Sequence, residues 1–149
     1  MANDDKTILV VDADAKQAEL TMSAFRSADL SYPIHVVHSG QEALDYINGN
    51  GRYADRERFA FPRLVLLETR LTGLSAWDLL KAVYENPAFR NLPVIVFTES
   101  ALPGDEEKAK DLGAFAYERK PADFGELIEL VTKIATFWLL SRLPPPNNT

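Results

Sequence analysis

The chain is 149 residues long, carries 16 basic against 22 acidic residues for a formal net charge of −6, and contains no cysteine. That length suits one compact domain burying about two thirds of its unfolded surface without staples, and the acidic balance without any Lys/Arg run argues against direct nucleic-acid binding. No stretch approaches the ~20 apolar residues of a membrane span, and the start Met1-Ala2-Asn3-Asp4-Asp5-Lys6 lacks the basic and apolar regions of a signal peptide, so the cytoplasm is the expected location.

Thr7-Ile8-Leu9-Val10-Val11 is a β-branched apolar run that ends in Asp12-Ala13-Asp14, a first strand with acids at its carboxyl end. A helical pattern follows from Ala15 to Ala28 and stops before Pro33. Ile34 to His38 reads as a second strand, and Ser39-Gly40-Gln41-Glu42 opens a second helix with a capping-box spacing that Asn48-Gly49-Asn50-Gly51 closes. Arg52 to Phe61 has no period and reads as a long exposed loop.

Leu64-Val65-Leu66-Leu67 is a strand buried on both faces that releases into Glu68-Thr69-Arg70. Ser75 caps a third helix that runs to Asn86, and Pro93 to Phe97 is a fourth strand ending in Thr98. Gly104 to Leu112 is a short polar helix stopped by Gly113, its Asp105-Glu106-Glu107 suited to a helix amino terminus. Ala114 to Tyr117 reads as a fifth strand running into Arg119-Lys120-Pro121, and a last helix extends from about Ala122 to about Ser141. The folded part is expected over about 6–141 of a single 1–149 domain, with the polar segment 142–149, including Pro144-Pro145-Pro146, as a disordered tail.

Strands alternating with helices, and apolar throughout rather than every second residue, predict an α/β fold: five parallel strands, doubly wound, with helices on both faces. In such a sheet, ligands and chemistry collect beyond the carboxyl ends of the strands. Asp12, Glu68, Thr98 and Lys120 all fall there. Two acids, a hydroxyl and an ammonium suit phosphoryl chemistry, because a carboxylate can accept a phosphoryl group, a second acid can hold a divalent cation, and the other two can bind phosphoryl oxygens. Taken singly each has an ordinary reading; their convergence is the signal. His35 and His38 have no acids or cysteines at ligand spacing and read as structural.

Ile8 to Asp12, Leu64 to Glu68, Val94 to Thr98, and Lys120-Pro121 with Tyr117 three residues before the lysine resemble a CheY-like response-regulator receiver domain over roughly residues 6 to 140. The Gly51-Arg52-Tyr53 loop, Asn86-Pro87, Phe137-Trp138-Leu139 and Leu143-Pro144-Pro145 are similar to the small stand-alone regulators that serve phytochrome-type histidine kinases. The resemblance implies a phosphorelay signalling protein rather than an enzyme. It implies a histidine kinase, phytochrome-type by the closer likeness, and a downstream protein target as partners, an acceptor position at Glu68, an acidic pair for magnesium at the end of the first strand, and an aromatic switch at Tyr117.

Two departures alter what that implies. Glu68 stands where the family has its phosphoryl-accepting aspartate, and Ala13 stands where it has the second acid of the magnesium pair. Arg70 adds positive charge that, with Lys120, is expected to neutralise Asp12 and Glu68. The expectation is an atypical receiver with no cofactor or only weakly bound magnesium, on Asp12 and Glu68, in which the longer Glu68 partly imitates the phosphorylated state. Residual phosphorylation of Glu68 is the alternative. A more distant one is a haloacid-dehalogenase-type phosphotransferase with Asp12 as nucleophile, which lacks its further acidic pair here. The last helix carries more apolar residues than one face needs, and Phe124, Ile128, Phe137, Trp138 and Leu139 are the expected patch for a two-fold homodimer.

Overall fold

The computed structural model describes residues 6–140. Its elements are β1 (Ile8–Val11), α1 (Ala15–Ser27), β2 (Ile34–Val37), α2 (Gly40–Asn48), β3 (Leu64–Leu67), α3 (Ala76–Glu85), β4 (Val94–Thr98), α4 (Asp105–Asp111), β5 (Ala116–Arg119) and α5 (Phe124–Ala135). The strands form one parallel sheet in the order β2-β1-β3-β4-β5, the doubly wound arrangement expected of the alternating pattern.

Every residue of β1, β3 and β4 is buried, which accounts for runs that are apolar without alternation. Leu9, Val11, Val65, Leu67, Val94 and Val96 pack on one side with Ala43 and Ile47 of α2 and Leu79, Leu80 and Val83 of α3. Ile8, Val10, Leu64, Leu66, Ile95 and Phe97 pack on the other with Phe25 of α1 and Leu127, Val131 and Ile134 of α5. The helix starts follow local chemistry: Asp14 accepts from the Lys16 and Gln17 amides, Ser39 from Glu42, Ser75 from Asp78 and Asp123 from Glu126, satisfying donors that have no partner inside a helix.

Three boundaries differ from the sequence reading. The segment after α2 is largely exposed, as expected, but it is anchored to the core. It contains a 3-10 turn over Gly51–Tyr53, and Tyr53 and Phe59 are buried against Tyr46 and His35, with ring centroids 5.0 to 6.0 Å apart. Arg56 donates to the Ile47 carbonyl at 2.7 Å and to the Phe59 carbonyl at 3.0 Å, so an arginine satisfies the end of α2 and the loop together. Aromatic packing is not periodic in sequence, and for that reason leaves no strand or helix signature.

The fifth strand begins two residues later than expected. Ala114 N–H still bonds to Ala109 O as part of the α4 ending, and Gly113, at φ +105°, turns the chain out of the helix. The β4 register then pairs Ile95 with Ala116 and Thr98 with Arg119. The last helix starts two residues later than expected and changes type near its end: α5 runs over Phe124–Ala135 and a wider helical turn carries it on over Thr136–Leu140. Ser141 and the expected 142–149 tail lie outside the described residues. Within the proposed dimer patch, Leu139 is 5% exposed and belongs to the α1/α5 core, and Ile128 and Trp138 are half-buried against it. Phe124, Phe137 and Leu140 remain exposed, joined by Phe115, whose ring meets Trp138 edge-on at 5.8 Å.

Candidate functional site

The parallel register sets the site. Val11 pairs with Leu67 and Leu67 with Val96, so Asp12, Glu68 and Thr98 emerge side by side at one edge. Lys120 arrives from β5, its amide bonded to Thr98 O at 2.8 Å. All four are buried, at 3%, 4%, 0% and 6% exposure for Asp12, Glu68, Thr98 and Lys120, so their polar atoms need partners within the protein.

They find them in one another. Lys120 Nζ lies 2.8 Å from Asp12 Oδ2 and 3.2 Å from Glu68 Oε1, bridging the two carboxylates. Glu68 Oε2 accepts from the Thr98 hydroxyl at 2.5 Å, the Thr69 amide at 2.8 Å, the Arg70 amide at 3.3 Å and the Thr69 hydroxyl at 3.3 Å. Burial pushes the Glu68 carboxyl upward, yet the Thr98 hydrogen bond, the Lys120 ammonium and the Arg70 amide together outweigh it and hold the group below its ordinary value. Glu68 is therefore a carboxylate at neutral pH. On its other side, Asp12 Oδ1 accepts from the Asp14 amide at 2.9 Å, and His38 Nδ1 lies 2.9 Å from the Asp12 carbonyl.

The cleft above these groups is lined by Asp12, Ala13, Asp14, Gln17, Glu68, Arg70 and Glu99. Arg70 does not act as the sequence suggested. Its side chain is 67% exposed and pairs with Glu99 at 3.0 Å across the mouth of the cleft; only its backbone amide reaches Glu68. Two strands deliver Arg70 and Glu99 to neighbouring loops, a pairing invisible in sequence, and the exposed pair spares the guanidinium the desolvation that joining Lys120 would demand. Tyr117 is half-buried, its ring against the α2/α3 core. Its hydroxyl is buried without a hydrogen-bond partner, and burial together with the nearby Asp105, Glu106 and Glu68 charges raises its pKa.

The donor set is a poor match to a divalent cation. Hard cations of magnesium's kind need several oxygens around an open position, whereas Ala13 offers none and the Asp14 carboxylate is used by the α1 amides of Lys16 and Gln17. The oxygens of Asp12 and Glu68 that face each other both hold the Lys120 ammonium. Among the described residues no group of three or more His, Cys, Asp or Glu side chains is placed to hold a metal. For the dehalogenase-type alternative, the Asp12 oxygens accept from the Asp14 amide and Lys120, and Asp123, the acid that follows Lys120, accepts an α5 amide. Thr69, Glu99 and Ser100 belong to the site but escaped the sequence reading; the hydroxyl directly after Glu68 was the available signal for Thr69.

A five-stranded, doubly wound parallel sheet with acid, hydroxyl and ammonium gathered at its carboxyl edge is the architecture of a phosphorelay receiver. The chain belongs to the response regulator receiver domain family, whose profile matches residues 8–132. It is 32% identical to the probable methanogenesis regulatory protein FilR2 of Methanothrix harundinacea, over 97% of this chain and 92% of that one. Among solved structures it is similar to the response regulator RPA3017 in red light signalling of R. palustris, at 28% identity and TM-score 0.87 over 93% of this chain and 98% of that one. It is also similar to the phosphorylated cyanobacterial phytochrome response regulator RcpA, at 26% identity and TM-score 0.84 over 94% and 98%. The chain is thus a receiver homologous to phytochrome-associated response regulators. Receivers as a class are signalling domains that meet a histidine kinase and a downstream target. No helix among the described residues is long and apolar enough to cross a membrane.

Proposed function

We propose that this receiver signals through protein contacts with its pocket held in the signalling arrangement by the Glu68 carboxylate, and that it binds magnesium weakly or not at all. One observation carries the reading: Glu68 Oε2 takes the Thr98 hydroxyl at 2.5 Å while Glu68 Oε1 meets Lys120 at 3.2 Å. These are the hydroxyl and ammonium that the family uses to read a phosphoryl group. The extra methylene of glutamate carries the carboxylate to them. The buried Tyr117 hydroxyl agrees with an aromatic switch turned inward. A carboxylate has one charge and two oxygens against the greater charge and three oxygens of a phosphoryl group, so the imitation is partial.

The kinase partner in this reading is phytochrome-type, by likeness to RcpA and RPA3017, and the protein works in the cytoplasm. A second copy is a further partner, covering Phe115, Phe124, Phe137 and Leu140, each more than a third exposed. The test of the pocket is incubation with a labelled acyl-phosphate donor and magnesium. The unmodified chain is expected to stay unlabelled and Glu68→Asp combined with Ala13→Asp to take label; ready labelling of the unmodified chain overturns the reading. Sedimentation tests the dimer, which a monomer at micromolar concentration overturns.

A further inference from the structure

The Thr98 hydroxyl has one proton and two lone pairs. Its proton points to Glu68 Oε2, and the Ser100 amide donates to its oxygen at 3.0 Å. One lone pair is left. Thr69 Oγ1 lies 3.2 Å from Thr98 Oγ1 and 3.3 Å from Glu68 Oε2. Because the Thr98 proton is already committed, Thr69 must be the donor of the pair, and its single proton is shared between Thr98 and Glu68. The Thr69 backbone amide, 2.8 Å from the same Glu68 oxygen, fixes the threonine at that spot.

Resting on the Glu68 reading above, we propose that Thr69 is a positioning residue of this pocket. Its hydroxyl fills the last lone pair of Thr98 Oγ1 and leans on Glu68 Oε2, holding Thr98 in the one rotamer from which it donates to Glu68. The signalling arrangement then depends on two hydroxyls rather than one. An apolar side chain after Glu68 would leave Thr98 with a lone pair unfilled in a buried place, and rotation toward other partners becomes competitive.

The experiment reads the Thr98 χ1 population from three-bond couplings of its methyl carbon to the backbone nitrogen and carbonyl carbon. The intact chain, Thr69→Val, Thr69→Ser and Glu68→Ala are compared. Valine keeps the shape of threonine without its hydroxyl, and unchanged amide signals from β2 and α2 certify the fold. The expected result is a single rotamer in the intact chain and in Thr69→Ser, with the minor rotamer rising about five- to tenfold in Thr69→Val, as the loss of one ordinary hydrogen bond implies. If Thr98 stays in one rotamer in Thr69→Val but becomes mixed in Glu68→Ala, the role of Thr69 is overturned and the Glu68 reading stands. If Thr98 is mixed in the intact chain, or neither Thr69→Val nor Glu68→Ala moves it, both are overturned. Failure of Thr69→Ser to restore the single rotamer also overturns the role of Thr69.

Discussion

Lys120→Met tests the centre of the pocket. The ammonium touches Asp12 at 2.8 Å and Glu68 at 3.2 Å with all three side chains no more than 5% exposed, and methionine keeps the unbranched stem beneath Phe97, whose ring lies 5.5 Å from Nζ. Packing is thus preserved while two buried carboxylates lose their cation. Removing one partner of a buried pair costs about 3–5 kcal/mol, a large share of the roughly 5–15 kcal/mol that holds a domain together. The pH dependence should change as well. With Lys120 in place the Glu68 carboxyl lies below its ordinary value, so it contributes stability above the unfolded carboxylate pKa that is lost as pH falls through the folded one. Without Lys120, burial still raises the Glu68 pKa and only the Thr98 and Arg70 hydrogen bonds are left to lower it, so the folded pKa moves up and the loss caused by the substitution shrinks as pH falls through it. Urea unfolding followed by Trp fluorescence should show the full loss at pH 7, a partial return at pH 5, and recovery at pH 7 when Glu68→Gln is added. A loss below about 1 kcal/mol at pH 7, or one identical at the two pH values, would refute the bridge.

Gly40 opens α2 where a Cβ would stand 2.4 Å from the Leu74 carbonyl, so Gly40→Ala should cost about 1–3 kcal/mol by overpacking, measured as a lower urea midpoint. Arg70→Ala removes an exposed pair and should change stability by less than about 1 kcal/mol, while a Lys120-like loss would mean that Arg70 serves the buried acids after all. Leu139→Ala should cost about 2–5 kcal/mol because the side chain sits in the α1/α5 core, whereas Phe137→Ala in the monomer should stay within about 0.5 kcal/mol; thermal unfolding of the two variants checks the contrast.

The residues of the last helix illustrate how far pattern reaches. An apolar excess after Ile134 was evident, but Leu139 turned inward and Phe137 outward because the wider turn over Thr136–Leu140 changes the angular spacing of side chains. Tyr53 and Phe59 carry the same lesson. Their burial depends on Tyr46 and His35 from distant elements and on Arg56 reaching the Ile47 and Phe59 carbonyls, none of which has a period to read.

By itself the sequence determined the five strands, their burial on both faces, the Ser39 and Ser75 helix caps and the four residues at the sheet edge, because those depend on local propensity and on which residues avoid water. It also placed glutamate and alanine where the resemblance to receivers implies two acids. Only the tertiary structure decided which groups those residues meet. Register brought Thr69 and Thr98 onto one Glu68 oxygen, β5 carried Lys120 between two carboxylates, and Glu99 drew Arg70 away from them, since charge and hydrogen-bond partners are chosen by distances that arise between strands.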